Sequence, residues 1–534
     1  MALFAFAYSC YGEDLPLHPR LVLFLVADQF PQEYLTRFRP LLREGLKTLV
    51  DKGVVFDETR YLYADTETCP GHASLATGTH PSHSGIVANS WFNRTERREI
   101  YCVDDDEFTR SPHYLLTSTI GDWLKGADSH SKVYSASAKD RAAIMLGGHA
   151  ADAAYWYDQK TGDFTSSEYY ANACPLLLEK FNNNRLLLRH FGSIWEALTV
   201  DQNALKRSQI VDLDEGVYPD RFPHALGSAS AKPNSKFFTN LYLSPFIDRY
   251  LVDFAQYLIK QIQLGKDDHT DFLGLSFSAP DTVGHGYGPN SREVLDTVQR
   301  LDRELGRLFS FIDKEIGLQR TLISFSSDHG VQPLPEYRKS INQPARRLSA
   351  KDVECIQRAG KNAMQQFDAS DLFLFNGYLN DDAITRHKLN RREIEDNVQK
   401  GLEECEIFTI NWLARDLQTG VNANLAFFNQ YRNSFYPERS PDFIPQLKEY
   451  HLSTLYRGTG HGTPYEYDTH VPMILLSPKL TPQRIAARVS PVDLAPTLAS
   501  LIGLNRPMNL DGLDRSLLIR QSLEQQSHVK TIEK

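Results

Sequence analysis

From Leu21 the chain runs through seven apolar residues without alternation (LVLFLVA) and then, with no spacer, reaches Asp28. A run of that length and kind suits a strand covered on both faces, as in a parallel sheet lying between layers of helix. The spacing further on predicts a helix over 40–52, with proline at its start and Gly53 ending it. Another is predicted over 119–125, before the strand Val133–Ser137. Helices over 246–263 and 292–316 are each followed by a strand, at 272–277 and at Thr321–Ser326, and a last helix over 489–501 opens on Ser-Pro. Strand and helix in alternation predict an α/β fold with a mainly parallel central sheet between helices. Two stretches break the rhythm, at about 155–240 and 335–455. They are read as cap insertions in a single domain over 19–525, with a tail at 526–534.

Composition narrows the class. With 41% hydrophobic and 23% charged residues the chain can build a core, which excludes the disordered and fibrous classes. A formal charge of −9 argues against nucleic acid as a stable partner, because a phosphate backbone calls for a surplus of Lys and Arg. No run reaches the roughly 18 apolar residues that a membrane helix needs, so no transmembrane segment is expected. Residues 2–7 are apolar, and Ala7-Tyr8-Ser9 has the small-x-small form of a processing site. The run is short and lacks a basic start, so 1–18 reads as a signal remnant or a disordered N-terminus, and the protein as secreted or periplasmic. Six cysteines, at 10, 69, 102, 174, 355 and 405, permit disulfides in such a compartment, and none has the spacing of a cysteine zinc site. Cys69 reads as a buried free thiol.

The chemistry gathers at strand ends. Leu21–Ala27 runs into Asp28, Thr321–Ser326 into Ser327, Asp328 and His329, and the strand at 272–277 is followed by Asp281 and His285. In an open α/β sheet, ligands bind beyond the carboxyl ends of the strands, so these groups are expected to form one cluster. His461, in the glycine-rich loop GTGHGT, is a further candidate. Three Asp and three His offer the mixed oxygen and nitrogen donors that suit zinc better than magnesium or calcium. Six donors are too many for one catalytic ion and suit a pair. Thr68, in TETCPGHASLATG (66–78), is placed at a helix N-terminus, where free amides favour anions. There it either caps the helix or, with its proton removed, serves as a nucleophile.

These segments together resemble a known family. T-x-P-x-H-x(5)-G followed by HSGIVAN (83–89) is similar to the nucleophile segment of the type I phosphodiesterase/nucleotide pyrophosphatase branch of the alkaline phosphatase superfamily. Asp28, D-x-x-G-H at 281–285, S-D-H-G at 327–330 and H-G-x(4)-Y-D-x-H-V-P at 461–472 resemble its other motifs, in the same order, over about 20–520. The resemblance implies one zinc held by Asp281, His285 and His461, and a second held by Asp28, Asp328 and His329 with Thr68 joining it. It also implies that Asn89 hydrogen-bonds a phosphoryl oxygen. His80, His83 and His470 lie near the motifs and are left outside the ligand set.

Lys139 and Arg141, in SAKDRA (137–142), bear on the substrate. In extended chain an i, i+2 pair shares one face. A phosphate monoester is a dianion with an oxygen exposed to such a pair, whereas a diester carries one charge fewer and a second substituent there. S-x-K-D-R resembles the pair of the phosphate-irrepressible periplasmic alkaline phosphatases. The expected activity is therefore hydrolysis of small-molecule phosphate monoesters through a phosphothreonine, with a phosphodiesterase on the same scaffold as the alternative. Asp140 is expected to face away. A sulfatase would require C-x-P-x-R, which Cys69-Pro70 and His72 do not provide.

Overall fold

The computed structural model describes residues 16–170, 174–210, 221–227, 232–454 and 457–520. The tail read at 526–534, and nearly all of the segment read at 1–18, therefore lie outside the described residues. At the centre is a nine-stranded sheet built from β1 (Leu21–Ala27), β2 (Val54–Thr59), β3 (Val133–Ser137), β4 (Ala153–Tyr157), β5 (Phe164–Thr165), β6 (Asp271–Phe277), β7 (Thr321–Ser326), β8 (Met473–Leu476) and β9 (Gln483–Val489). Their spatial order is β9-β2-β8-β7-β1-β6-β3-β4-β5. The run β7-β1-β6-β3-β4 is parallel throughout. β9 is parallel to β2, while β8 is antiparallel to both its neighbours and β5 to β4. The sheet is thus mainly parallel, and it extends to Thr165, past the point where the first insertion was expected to begin.

β1 shows why its sequence lacks alternation. Leu21, Leu23 and Leu25 pack into one hydrophobic cluster, while Val22, Phe24 and Val26 pack into a second one on the other face of the sheet. Period-two geometry sends successive side chains to opposite faces, and here both faces are dry. Each such side chain contributes about 1.5–3 kcal/mol of burial. β6 and β7 are likewise buried along their whole lengths.

The helices depart from expectation in instructive ways. In place of one helix over 40–52 there is a 3-10 turn at Arg39–Leu41, then α1 (Gly45–Lys52). The start of α1 is capped from a distance: Asp302, on the long helix Arg292–Glu315, accepts the N–H groups of Arg43, Glu44, Leu46 and Lys47. Local spacing cannot report a cap supplied from so far along the chain. At the other end of the chain, Val489 closes β9, and Ser490 begins a 3-10 turn, Pro491–Asp493, that leads into the helix Leu494–Ile502. Within 335–455, the helices Ala350–Gln366 and Arg391–Glu403 share a hydrophobic cluster with the antiparallel ribbon of Phe408–Leu413 and Phe443–Leu447.

Candidate active site

The four adjacent parallel strands β7, β1, β6 and β3 end on one edge of the sheet, and each delivers its charge there. Asp28 follows β1 directly, and its N–H continues the pairing by donating to Phe277 O at 2.9 Å. Lys139 lies two residues beyond β3 and Asp328 two beyond β7. Asp281 and His285 are one turn apart on the helix Ala279–Tyr287, which follows β6, so they share a face. His461 arrives on its loop because Gly458, at φ +79°, lies so close to His285 that a Cβ there would be 2.5 Å from the His285 carbonyl oxygen. Thr459 then exchanges bonds with His285, donating N–H at 3.0 Å and accepting Nδ1–H at 2.8 Å.

The six side chains form two groups. Asp281, His285 and His461 bring one donor atom each within 4.8 Å of one another, and so do Asp28, Asp328 and His329. The groups adjoin, with the rings of His329 and His461 stacked at 3.6 Å. In each histidine Nδ1 faces a backbone carbonyl, which can only accept: His285 to Thr459, His329 to Gly330 and His461 to Thr66, at 2.8–2.9 Å. In a neutral ring the proton is therefore on Nδ1, and the lone pair of Nε2 points at carboxylate oxygens 3.1–3.7 Å away. Lone pair against carboxylate repels unless a cation lies between them. Asp28 Oδ1, Asp328 Oδ2 and His329 Nε2 are moreover buried and without a hydrogen-bond partner among the described residues. The donor set therefore fits metal ions, and the carbonyl contacts are the support that metal-binding histidines generally receive.

Burial and charge set the titration of these groups in the ion-free site. Burial, with Asp328 beside it, holds the Asp28 carboxyl well above the usual range. Burial acts on Asp281 too, but Lys139, His285 and His461 outweigh it and hold that group well below the range. Asp328 is likewise low, because His329 and His72 overcome its burial. Burial pushes His329 and His461 down, whereas Asp281 raises His285.

Thr68 is the first residue of the helix Thr68–Thr77, which is buried along its length. Gly71 allows that helix its position, since a Cβ there would be 2.4 Å from the Asp328 carbonyl oxygen. Lys139 Nζ and Arg141 Nη2 lie 3.4 and 3.5 Å from Thr68 Oγ1. Lys139 also bridges the two acidic groups, at 2.6 Å from Asp28 and 2.5 Å from Asp281. The pair does not share an extended strand, however. Lys139 is the extended cap of the helix Asp140–Gly147, and Arg141 reaches the site from its first turn. Asp140 turns to Tyr101 and Arg110: it accepts from the Tyr101 hydroxyl at 2.6 Å, and that hydroxyl accepts from Arg141 at 3.2 Å. A cavity of about 320 Å³ beside the pair is lined by Lys139, Arg141, Trp156, Tyr157, Lys160 and Tyr242.

Sequence reasoning missed several supports. Gln29 donates its N–H to Asp328 at 3.1 Å and its amide to Asp281 at 2.9 Å, from a left-handed backbone (φ +59°) that nothing in the sequence signals. His72 bridges Thr68 O and Ser276 Oγ and lies 3.2 Å from Asp328; its place in the threonine motif was the available clue. Glu67 accepts the Asn89 N–H at 2.6 Å. Cys69 is not a free thiol: it is bridged to Cys102, with which it is buried beside Asn89, and Cys355 is bridged to Cys405. His83 pairs with Asp511, and His470 Nε2 faces Asp57 O, both apart from the six donors.

Comparison with known proteins agrees with this geometry. The sequence matches the type I phosphodiesterase/nucleotide pyrophosphatase family over 22–457 and the sulfatase family over 444–504. It is 31% identical to alkaline phosphatase PhoV of Synechococcus elongatus, covering 92% of this chain and 91% of that protein. It is 28% identical to alkaline phosphatase PafA of Elizabethkingia meningoseptica, covering 92% and 93%. The crystal structure of wild-type PafA superposes with a TM-score of 0.84 at 27% identity, covering 93% of this chain and 98% of that one. A solved PafA variant has one threonine, one asparagine, one lysine and one arginine replaced.

Proposed function

The chain belongs to the type I phosphodiesterase/nucleotide pyrophosphatase family, and from that premise we propose that it is an alkaline phosphatase that hydrolyses phosphate monoesters through Thr68 and two zinc ions. The observation that carries this reading is the convergence of Lys139 and Arg141 on Thr68 Oγ1, where a dianionic phosphoryl group would present its oxygens. The alkaline phosphatases that align along nine-tenths of the chain support it. So does the PafA variant, whose replaced threonine and asparagine are as far apart in sequence as Thr68 and Asn89, and whose lysine and arginine are spaced like Lys139 and Arg141.

Asp281, His285 and His461 would hold one ion, and Asp28, Asp328 and His329 the other, with Thr68 as a further ligand. Ions bound there would lower the pKa of the threonine hydroxyl and offset the charge on the departing oxygen. Thr68 Oγ gives up its proton to solvent and attacks phosphorus, forming the Oγ–P bond as the bond to the substrate's alcohol oxygen breaks and that oxygen takes a proton from water. Arg141 clasps the phosphoryl oxygens with its planar fork, Lys139 adds a point charge, and Asn89 donates from Nδ2. These donors act where charge spreads over the equatorial oxygens. Water then attacks the phosphothreonine, releasing inorganic phosphate and restoring Thr68.

The segments at about 166–240 and 335–455 act as caps that set which alcohol is accepted. Two disulfides fit a secreted or periplasmic setting. Among the described residues no helix is long and apolar enough to cross a membrane. The deciding experiment compares kcat/KM for p-nitrophenyl phosphate and bis-p-nitrophenyl phosphate with zinc supplied. Preference for the monoester is expected, and preference for the diester would overturn the reading in favour of a phosphodiesterase.

A further inference from the structure

The Cys69–Cys102 disulfide begins one residue after Thr68 and is fully buried. The backbone N–H groups of its two cysteines both donate to Asn89. Cys69 N–H bonds the side-chain Oδ1 at 2.9 Å, and Cys102 N–H bonds the main-chain oxygen at 2.9 Å. The Asn89 N–H in turn donates to Glu67, the residue before Thr68. All three of these hydrogen bonds of Asn89 therefore lead back to the bridge or to the residue before Thr68.

The chemistry of the amide gives this arrangement a direction. An asparagine side chain has one accepting end and one donating end. A backbone N–H can only donate, so Cys69 holds Oδ1 toward itself. Nδ2, which has no partner among the described residues, is left as the end free for a ligand. Without the bridge, two segments separated by 33 residues would be held in this register by individually weak hydrogen bonds.

We propose that the Cys69–Cys102 bridge is a positioning device for phosphoryl recognition, locking Asn89 so that its Nδ2–H groups face a substrate oxygen at Thr68. This rests on the reading of Thr68 and Asn89 given above. Asn89 touches substrate; the two cysteines act through it.

A double-mutant cycle tests the idea. kcat/KM for p-nitrophenyl phosphate is measured, with zinc supplied, for the natural enzyme, N89A, the pair C69A/C102A and the triple variant, with melting temperature and zinc content confirming the fold. N89A should lose roughly 10²-fold, the scale for one donor to a developing anion. The bridge pair should lose about 10-fold or more, and the triple variant should fall no more than about threefold below the worse of these. A purely structural bridge would give losses that multiply, and multiplying losses would overturn the proposal, as would a bridge pair with unchanged kcat/KM. An N89A variant with unchanged kcat/KM would instead overturn the reading of Asn89 itself. If the alanine pair does not accumulate as folded protein, C69S/C102S carries the same cycle. Peptide mapping without reductant adds a check that needs no variant: fully active enzyme with Cys69 and Cys102 as free thiols would refute the inference.

Discussion

Replacing Arg141 with alanine should turn a strong preference for monoesters into a weak one. Its Nη2 lies 3.5 Å from Thr68 Oγ1, and its Nη1 is held by the Tyr101 hydroxyl, so the guanidinium is fixed before substrate arrives. The alanine variant loses at least the Nη2 donor to the phosphoryl group. One preorganised donor of this kind is worth about 2.7–4 kcal/mol of transition-state stabilisation. At about 1.36 kcal/mol per decade, that corresponds to roughly 10²–10³-fold in kcat/KM for p-nitrophenyl phosphate. A diester has one charge fewer and carries a substituent in place of the oxygen that Arg141 grips, so bis-p-nitrophenyl phosphate should lose less than about tenfold. The ratio of the two kcat/KM values should therefore fall by at least about tenfold. Initial rates on both esters under identical zinc conditions suffice to measure it. Equal losses on the two esters would refute the reasoning, because Arg141 would then serve the fold or a step common to both. An unchanged monoester rate would refute it more simply.

Removing the Thr68 hydroxyl as T68A should abolish turnover while leaving at least most of the bound zinc, measured by atomic absorption beside activity. Substituting Asp281 as D281A should lower metal content by about one equivalent per chain and reduce kcat by at least about 10²-fold, because it removes a donor from one group only. Chelation should lower the melting temperature of the natural protein and abolish activity, with zinc restoring both, since ions that bind only the folded state stabilise it. Tyr101→Phe should cost Arg141 a fixing partner and lower kcat/KM for the monoester by about three- to tenfold, with a smaller change for the diester. Asp248 titrates differently from the site: burial pushes it up to about 8 in the folded protein, against about 3.9 in an unfolded chain. Its contribution to stability is complete below about pH 4 and is lost as pH rises through 8, so D248N should flatten the dependence of melting temperature on pH between about 5 and 9.

What could be read from the sequence was whatever local pattern controls. LVLFLVA announces a doubly covered strand because both of its faces are apolar, and the acid after it falls at the sheet edge because parallel strands end together. Asp28, Asp281 and Asp328 were placed by that argument alone. Long-range contacts decided the rest. α1 begins at Gly45 because Asp302 caps it, and β8 inserts antiparallel between β2 and β7 although only four residues mark it. Lys139 and Arg141 were identified correctly as neighbours in space but for the wrong geometric reason, since a helix starts between them. Cys69 was misread because a single cysteine carries no mark of its partner: Cys102 is 33 residues away, on the far side of the Asn89 segment that the bridge encloses.

The charge balance at the sheet edge links the fold to the chemistry. Three carboxylates and three inward-facing imidazole lone pairs meet there, opposed among the described residues by the ammonium of Lys139 and the guanidinium of Arg141. With all three acids ionised such a site is negative before a dianionic ester arrives, and in a buried setting of low dielectric the repulsion is large. Lys139 cannot both neutralise Asp28 and Asp281 and stabilise a phosphoryl oxygen at full strength. Divalent ions held by the two donor groups would resolve the conflict, because they would take over the carboxylates and free Lys139, 3.4 Å from Thr68 Oγ1, for the substrate. Lys139→Ala should therefore weaken binding of inorganic phosphate to the zinc-loaded enzyme while leaving its zinc content intact. Loss of zinc in that variant would mean that the ammonium organises the acids, and that the division of labour between ions and cationic side chains argued here is wrong.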